Sequence, residues 1–187
     1  MRWLVAVCLF FGFGCSRGGY DQSLMAKLNA KEQGVVGKYL LETSFQGTQN
    51  DELKSFAEAM KALGGETTIE CFPDKSFVMV VSQVEVKGKW VVDGMFVRLS
   101  IQSVGGKNPG EIGRAKDQAR GVSGFDLNNP QRSEFLQDFT NTIALERAES
   151  LRNLRIGVDG HSLYSSEGSS SDLFGTTVST FKPIADK

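Results

Sequence analysis

Two stretches of this chain alternate apolar and polar residues with a period of two, and each doubles back at a turn signal. In 67–82, Ile69 and Cys71 share one face, Pro73-Asp74-Lys75 turns the chain, and Phe77, Met79 and Val81 return. In 84–101, Val86, Trp90 and Val92 run out, Asp93-Gly94 turns, and Val97, Leu99 and Ile101 run back. Strict alternation is the mark of a half-buried strand. Asp-Gly between two such runs signals a hairpin, because a type I′ turn needs positive φ. A chain committed to local hairpins builds an antiparallel meander.

The remaining segments extend that pattern. "VVGKYLLETS" reads as a strand with Tyr39 and Leu41 on one face. "LRIGVDGHSLYSS" holds a second Asp-Gly turn, Asp159-Gly160, and a Ser-rich loop leads to a closing strand in "TTVSTFKPI". The fold class expected is therefore mainly β (α+β), with about eight short strands whose edges are resolved by curling or closing.

Helices are expected in three places. Residues 50–65 place Leu53, Phe56, Ala57, Met60 and Leu63 at helical spacing, behind an Asn50 or Asp51 cap and before Gly64-Gly65. Residues 21–34 form a shorter candidate, ending at Gly34. Residues 132–153 form the third, with Phe135, Leu136, Phe139, Ile143 and Leu151 along its apolar side. Between the strands and this last helix, 103–131 shows no period and reads as a long loop, so 103–152 is an insertion of loop and helix.

The first residues have a different character. Arg2 is followed by Trp3 to Gly14 without a charge, a run too short for a spanning helix, which needs about 20 residues. Its length fits a secretory signal, typically about 7–15 apolar residues. Gly12-Phe13-Gly14-Cys15-Ser16 resembles the lipobox of bacterial lipoproteins, in which the cysteine is acylated and the signal is cut before it. Gly14 fits that motif, and Gly12 departs from its usual Leu. The resemblance implies a signal peptide over 1–14, lipidation at Cys15, a tether with a short helix over 15–34, and a β domain over 35–183. It also implies a cell-envelope location, with Ser16 favouring the outer membrane over the inner. An ordinary cleaved signal, giving a secreted or periplasmic protein, and an uncleaved leader are the alternatives.

Charge and cysteine count narrow the partners. The net charge is −1 with both signs interspersed, so no basic stripe for nucleic acid is present. The three cysteines are Cys8 in the leader, Cys15 and Cys71. With Cys15 acylated no intrachain disulfide forms, and Cys71 is expected as a small buried thiol.

A resemblance lies in the order of the strand motifs. Gly37-Lys38-Tyr39, Ala59-Met60, Thr68-Ile69-Glu70-Cys71, Asp74-Lys75-Ser76-Phe77, Gly88-Lys89-Trp90 with Asp93-Gly94, Asp159-Gly160 to Leu163, and Phe181-Lys182 follow one another. This order resembles the small lipocalin-like domains of bacterial lipoproteins, with Lys75 standing where those domains usually carry Gly. The resemblance implies a β-barrel or half-barrel and no reaction, since fold does not give function.

Catalytic motifs are not apparent. His161 is the one histidine and falls at a turn, where a solvated role is expected; Cys-x-x-Cys and His-rich metal sites are excluded by count. Gly121-Val122-Ser123-Gly124-Phe125 misses a nucleophile elbow by one residue, and "VGGKNPG" lacks the Ser/Thr of a phosphate loop. Asp126, Asn128 and Asn129 lack the glycine and the Glu of a calcium loop. No enzyme, cofactor or metal is therefore expected. Two readings remain: a lipid-anchored module binding a small apolar ligand among Tyr39, Phe77, Met79, Trp90 and Leu99, or an interaction module in which those five residues fill the core.

Overall fold

The computed structural model describes residues 19–46, 66–119, 132–165, 169–171 and 175–184. Two short helices, α1 (Gln22–Met25) and α2 (Ala30–Val35), precede five strands: β1 (Gly37–Gln46), β2 (Thr68–Cys71), β3 (Ser76–Val81), β4 (Val84–Asp93) and β5 (Phe96–Val104). Helices α3 (Pro109–Ala119) and α4 (Arg132–Ser150) follow, then β6 (Asn153–Ile156), β7 (Leu163–Ser165), β8 (Ser169–Ser171) and β9 (Gly175–Pro183). The helix expected over 50–65, the leader and Cys15 lie outside the described residues.

Every pairing is antiparallel, and sequence neighbours are neighbours in the sheet from β1 to β7. β9 then pairs with β7 and, from Tyr39↔Pro183 to Gln46↔Thr176, with β1. That last seam closes an eight-strand barrel; β8 occupies the continuation of β7 beside β9. The expected antiparallel meander is thus a barrel, and of the two shapes expected it is the closed one. Closure pairs β1 with β9, the two strands that an open meander would leave to template pairing with another chain.

Alternation selects the interior. Ile69, Cys71, Phe77, Met79, Val81, Val86, Trp90, Val97, Leu99, Leu154, Leu163 and Phe181 are all buried in one core cluster with Tyr39 and Leu41. Removing each large side chain from water contributes about 1.5–3 kcal/mol. The strand motif Gly88-Lys89-Trp90 has a steric reason. A Cβ on Gly88 would stand 2.0 Å from the Ser100 carbonyl oxygen and 2.7 Å from the Phe77 ring, at the point where the β4–β5 register shifts.

Four local expectations are corrected. The 21–34 segment is two helices rather than one, because Asn29 starts a new one: its side chain accepts from the Glu32 N–H while Glu32 accepts from the Asn29 N–H. The β4–β5 turn is centred on Gly94-Met95, not Asp93-Gly94. Asp93 pairs with Phe96 and only Gly94 has positive φ, the glycine-first pattern of a type II′ turn.

The 103–131 segment is not wholly loop, since α3 occupies part of it. Asn108 caps it, its side chain accepting from Gly110 N–H while Glu111 accepts from Asn108 N–H, with Pro109 in the first helical position. Among its described side chains Ile112 alone is in the core, and the helix's sequence shows no apolar period.

The apolar side expected for α4 faces outward. Leu136, Phe139 and Ile143 are 41, 55 and 43% exposed, and Asn141, Ala144 and Ala148 face the barrel instead. The backbone comes close to the helix here: a Cβ on Gly105 would stand 2.3 Å from the Asn141 side chain. Leu151, just past the helix, is buried as expected, and the Phe135 side chain lies outside the described residues.

Candidate functional site

An up-and-down barrel gathers its connections at two ends. The β2–β3, β4–β5 and β6–β7 turns, the start of β1 and the end of β9 meet at one end; the β3–β4 turn and the α3–α4 insertion leave from the other. Helix α2 lies across the first end. Lys31 donates to the Gly94 carbonyl at 3.2 Å, and Lys75 Nζ lies 2.7 Å from Glu32 Oε1. Gly34 abuts the Gly160 carbonyl oxygen, which a Cβ would approach to 2.6 Å. Three separate turns thus hold one short helix.

The five interior residues singled out by sequence are placed together. Tyr39 and Trp90 are 0% exposed, and Phe77, Met79 and Leu99 are buried beside them. Both amphipathic rings use their polar atoms on backbone near the α2 end. The Tyr39 hydroxyl donates to the Val35 carbonyl at 2.7 Å, and Trp90 Nε1 donates to the Phe72 carbonyl at 3.1 Å. Phe72 is in turn the acceptor for Lys75 N–H across Pro73-Asp74, and Trp90 N–H donates to the Lys75 carbonyl. Lys75 itself sits at φ 64, the left-handed position for which the motif usually carries Gly.

Electrostatics at this end are local. The Lys75 ammonium, and then the Asn29 N–H, hold the Glu32 carboxyl below the usual carboxylate range. In the β6–β7 turn, Asp159 accepts from the Ser162 hydroxyl, the Ser162 N–H and the His161 N–H, which hold its pKa down to about 2. His161 is exposed in that turn, the place expected of it. Cys71 is buried and free; burial pushes its thiol up, away from the reactive thiolate.

At the opposite end a groove of about 380 Å³ lies between the β3–β4 turn, Gly105-Gly106 and α4. Ser82, Gln83, Glu85, Gln137 and Asn141 line it. Asn141 Nδ2 is buried there with no hydrogen-bond partner. No sequence signal pointed to this groove, because its residues come from three distant segments and share no motif.

Among the described residues no three His, Cys, Asp or Glu side chains come together as a metal-binding group, and no helix is long and apolar enough to cross a membrane. The Ser123 and Asp126–Asn129 segments lie outside the described residues. No protein-family model matches the chain, and no curated protein matches it.

Proposed function

We propose that this chain is a lipid-anchored envelope lipoprotein whose barrel is a non-catalytic interaction module rather than a carrier for a ligand held inside. The anchor is a diacylated or triacylated Cys15, exposed when the 1–14 signal is removed; more than one acyl chain is needed for stable membrane residence. The outer membrane is the favoured address.

The observation that carries the reading of the barrel is the use made of its large interior rings. Tyr39 and Trp90, the two groups best suited to line a ligand pocket, are fully buried and hydrogen-bonded to backbone at the α2 end. They serve the barrel's own closure. Binding then falls to outer surfaces.

Two experiments test the parts separately. Cys15→Ser releases the protein from the membrane fraction; unchanged membrane association contradicts the anchor. Organic extraction of the purified, folded protein yields no bound apolar molecule; recovery of one per chain contradicts the filled-core reading and restores the ligand carrier.

A further inference from the structure

The end of the barrel closed by α2 carries its own apolar tips. Val158, at the β6–β7 turn, is 107% exposed, and Met95, at the β4–β5 turn, is 45% exposed. The two turns are adjacent, since Ile156 N–H donates to the Met95 carbonyl. Ile184, exposed just beyond β9, donates its N–H to the Lys38 carbonyl at the same end. On the outer wall beside them, Phe96, Arg155 and Tyr164 are direct cross-strand partners in one row, and all three are exposed. Apolar tips backed by an aromatic–arginine row suit the bilayer interface, where amphipathic rings and long basic side chains have one apolar part and one wet part.

The described chain begins at this same end. Tyr20 packs edge-on against Phe72 of the β2–β3 turn and donates to Glu70 Oε1. Four residues lie between Cys15 and Tyr20, five Cα–Cα steps with a reach of at most about 18 Å. Three acidic side chains here have cationic partners, Asp93 with Arg98, Asp74 with Lys89, and Glu32 with Lys75, whereas Asp159, beside Val158, stays ionised on hydrogen bonds from Ser162 and His161. Exposed Lys31, Lys38 and Arg155 add positive charge toward an anionic headgroup layer.

We infer that the α2 end of the barrel rests on the bilayer, with Met95 and Val158 entering the headgroup region and the α4 end pointing away. The inference rests on the lipid anchor proposed above and adds an orientation to it. Anchoring alone leaves the barrel free to tumble on its tether; docking fixes which surfaces the envelope space can reach.

The test uses the full-length, lipid-modified protein in vesicles of phosphatidylethanolamine and phosphatidylglycerol. Val158→Cys and, on α4, Gln137→Cys each carry an environment-sensitive fluorophore; both sites are exposed, and Cys71 is buried. The Val158 probe shifts to the blue and is quenched by lipids bearing a nitroxide near the headgroup, and the Gln137 probe does neither. Vesicle-bound protein with an unshifted, unquenched Val158 probe overturns the docking and leaves the anchor standing, with this end open to a protein partner. Quenching of both probes alike overturns the orientation. Protein that fails to float with the vesicles overturns the anchor and the docking together.

Discussion

Lys75 Nζ lies 2.7 Å from Glu32 Oε1, so the β2–β3 turn is tied to the helix that crosses the barrel's end. Two unfavourable local choices meet in this pair. Lys75 holds a left-handed backbone that costs a non-glycine residue about 1–2 kcal/mol, and Glu32 is a carboxylate with little exposure. Lys75→Gly relieves the first and loses a half-exposed ion pair worth about 1 kcal/mol or less. Its stability is therefore expected within about 1 kcal/mol of wild type by urea unfolding. Glu32→Ala removes both the pair and half of the α2 capping box, and a loss of about 2 kcal/mol is expected.

The same carboxyl gives a pH dependence. Its folded pKa is depressed by Lys75 and the Asn29 N–H, so its contribution is complete above the unfolded value near 4 and is lost as pH falls through the lower folded value. Wild type is accordingly more stable than Glu32→Gln at pH 7, by about 1 kcal/mol, and the difference shrinks below about pH 4. A difference that stayed constant down to pH 2 would assign the effect to packing.

Gly88→Ala tests the close crossing of β4 and β5. A methyl group would meet the Ser100 carbonyl oxygen, which is backbone and cannot swing aside. A loss of about 3 kcal/mol or more is expected in thermal or urea unfolding, at the top of the overpacking range. A variant as stable as wild type would mean that the strands stand further apart.

The barrel's closed end is probed by two conservative changes. Tyr39→Phe removes the donor to the Val35 carbonyl, and Trp90→Phe removes the donor to the Phe72 carbonyl. Tyr39→Phe is expected to cost about 1–3 kcal/mol through the lost buried hydrogen bond. Trp90→Phe is expected to cost about 1–3 kcal/mol through the cavity left by the smaller ring, since the Phe72 carbonyl keeps the Lys75 N–H. Hydrogen exchange of the α2 amides is expected to speed up in Tyr39→Phe. Unchanged exchange would detach α2 from the ring.

The inversion of α4 separates its two faces. Phe139→Ser, on the exposed side, is expected to change stability by no more than about 0.5 kcal/mol, whereas Ala144→Leu, on the buried side, costs about 1–3 kcal/mol. The opposite ranking would mean that the large apolar residues face the barrel.

What could be read beforehand divides along physical lines. Alternation in 67–82 and 84–101 identified the hairpins and their inward residues because period two is local information. The Gly88-Lys89-Trp90 motif was visible, but the reason for its glycine, a carbonyl on another strand, was not. Helix α4 is legible as a helix but not in its facing: apolar spacing does not reveal that Asn141, Ala144 and Ala148 are the residues it buries. Helix α3 had a readable start in Asn108-Pro109-Gly110-Glu111, obscured by a polar body in which, among the described side chains, Ile112 alone is in the core. Closure of the ring through β1 and β9 joins residues more than a hundred positions apart, which no local pattern encodes. The tips at Met95 and Val158 became a surface only once adjacent turns were brought to one end.

The measurement that bears most directly on the whole account is the intact mass and N-terminal peptide of the protein isolated from membranes. A chain beginning at Cys15 is expected, with acyl chains on its sulfur and amino terminus. A first residue other than Cys15, or Cys15 with no added mass, would contradict it.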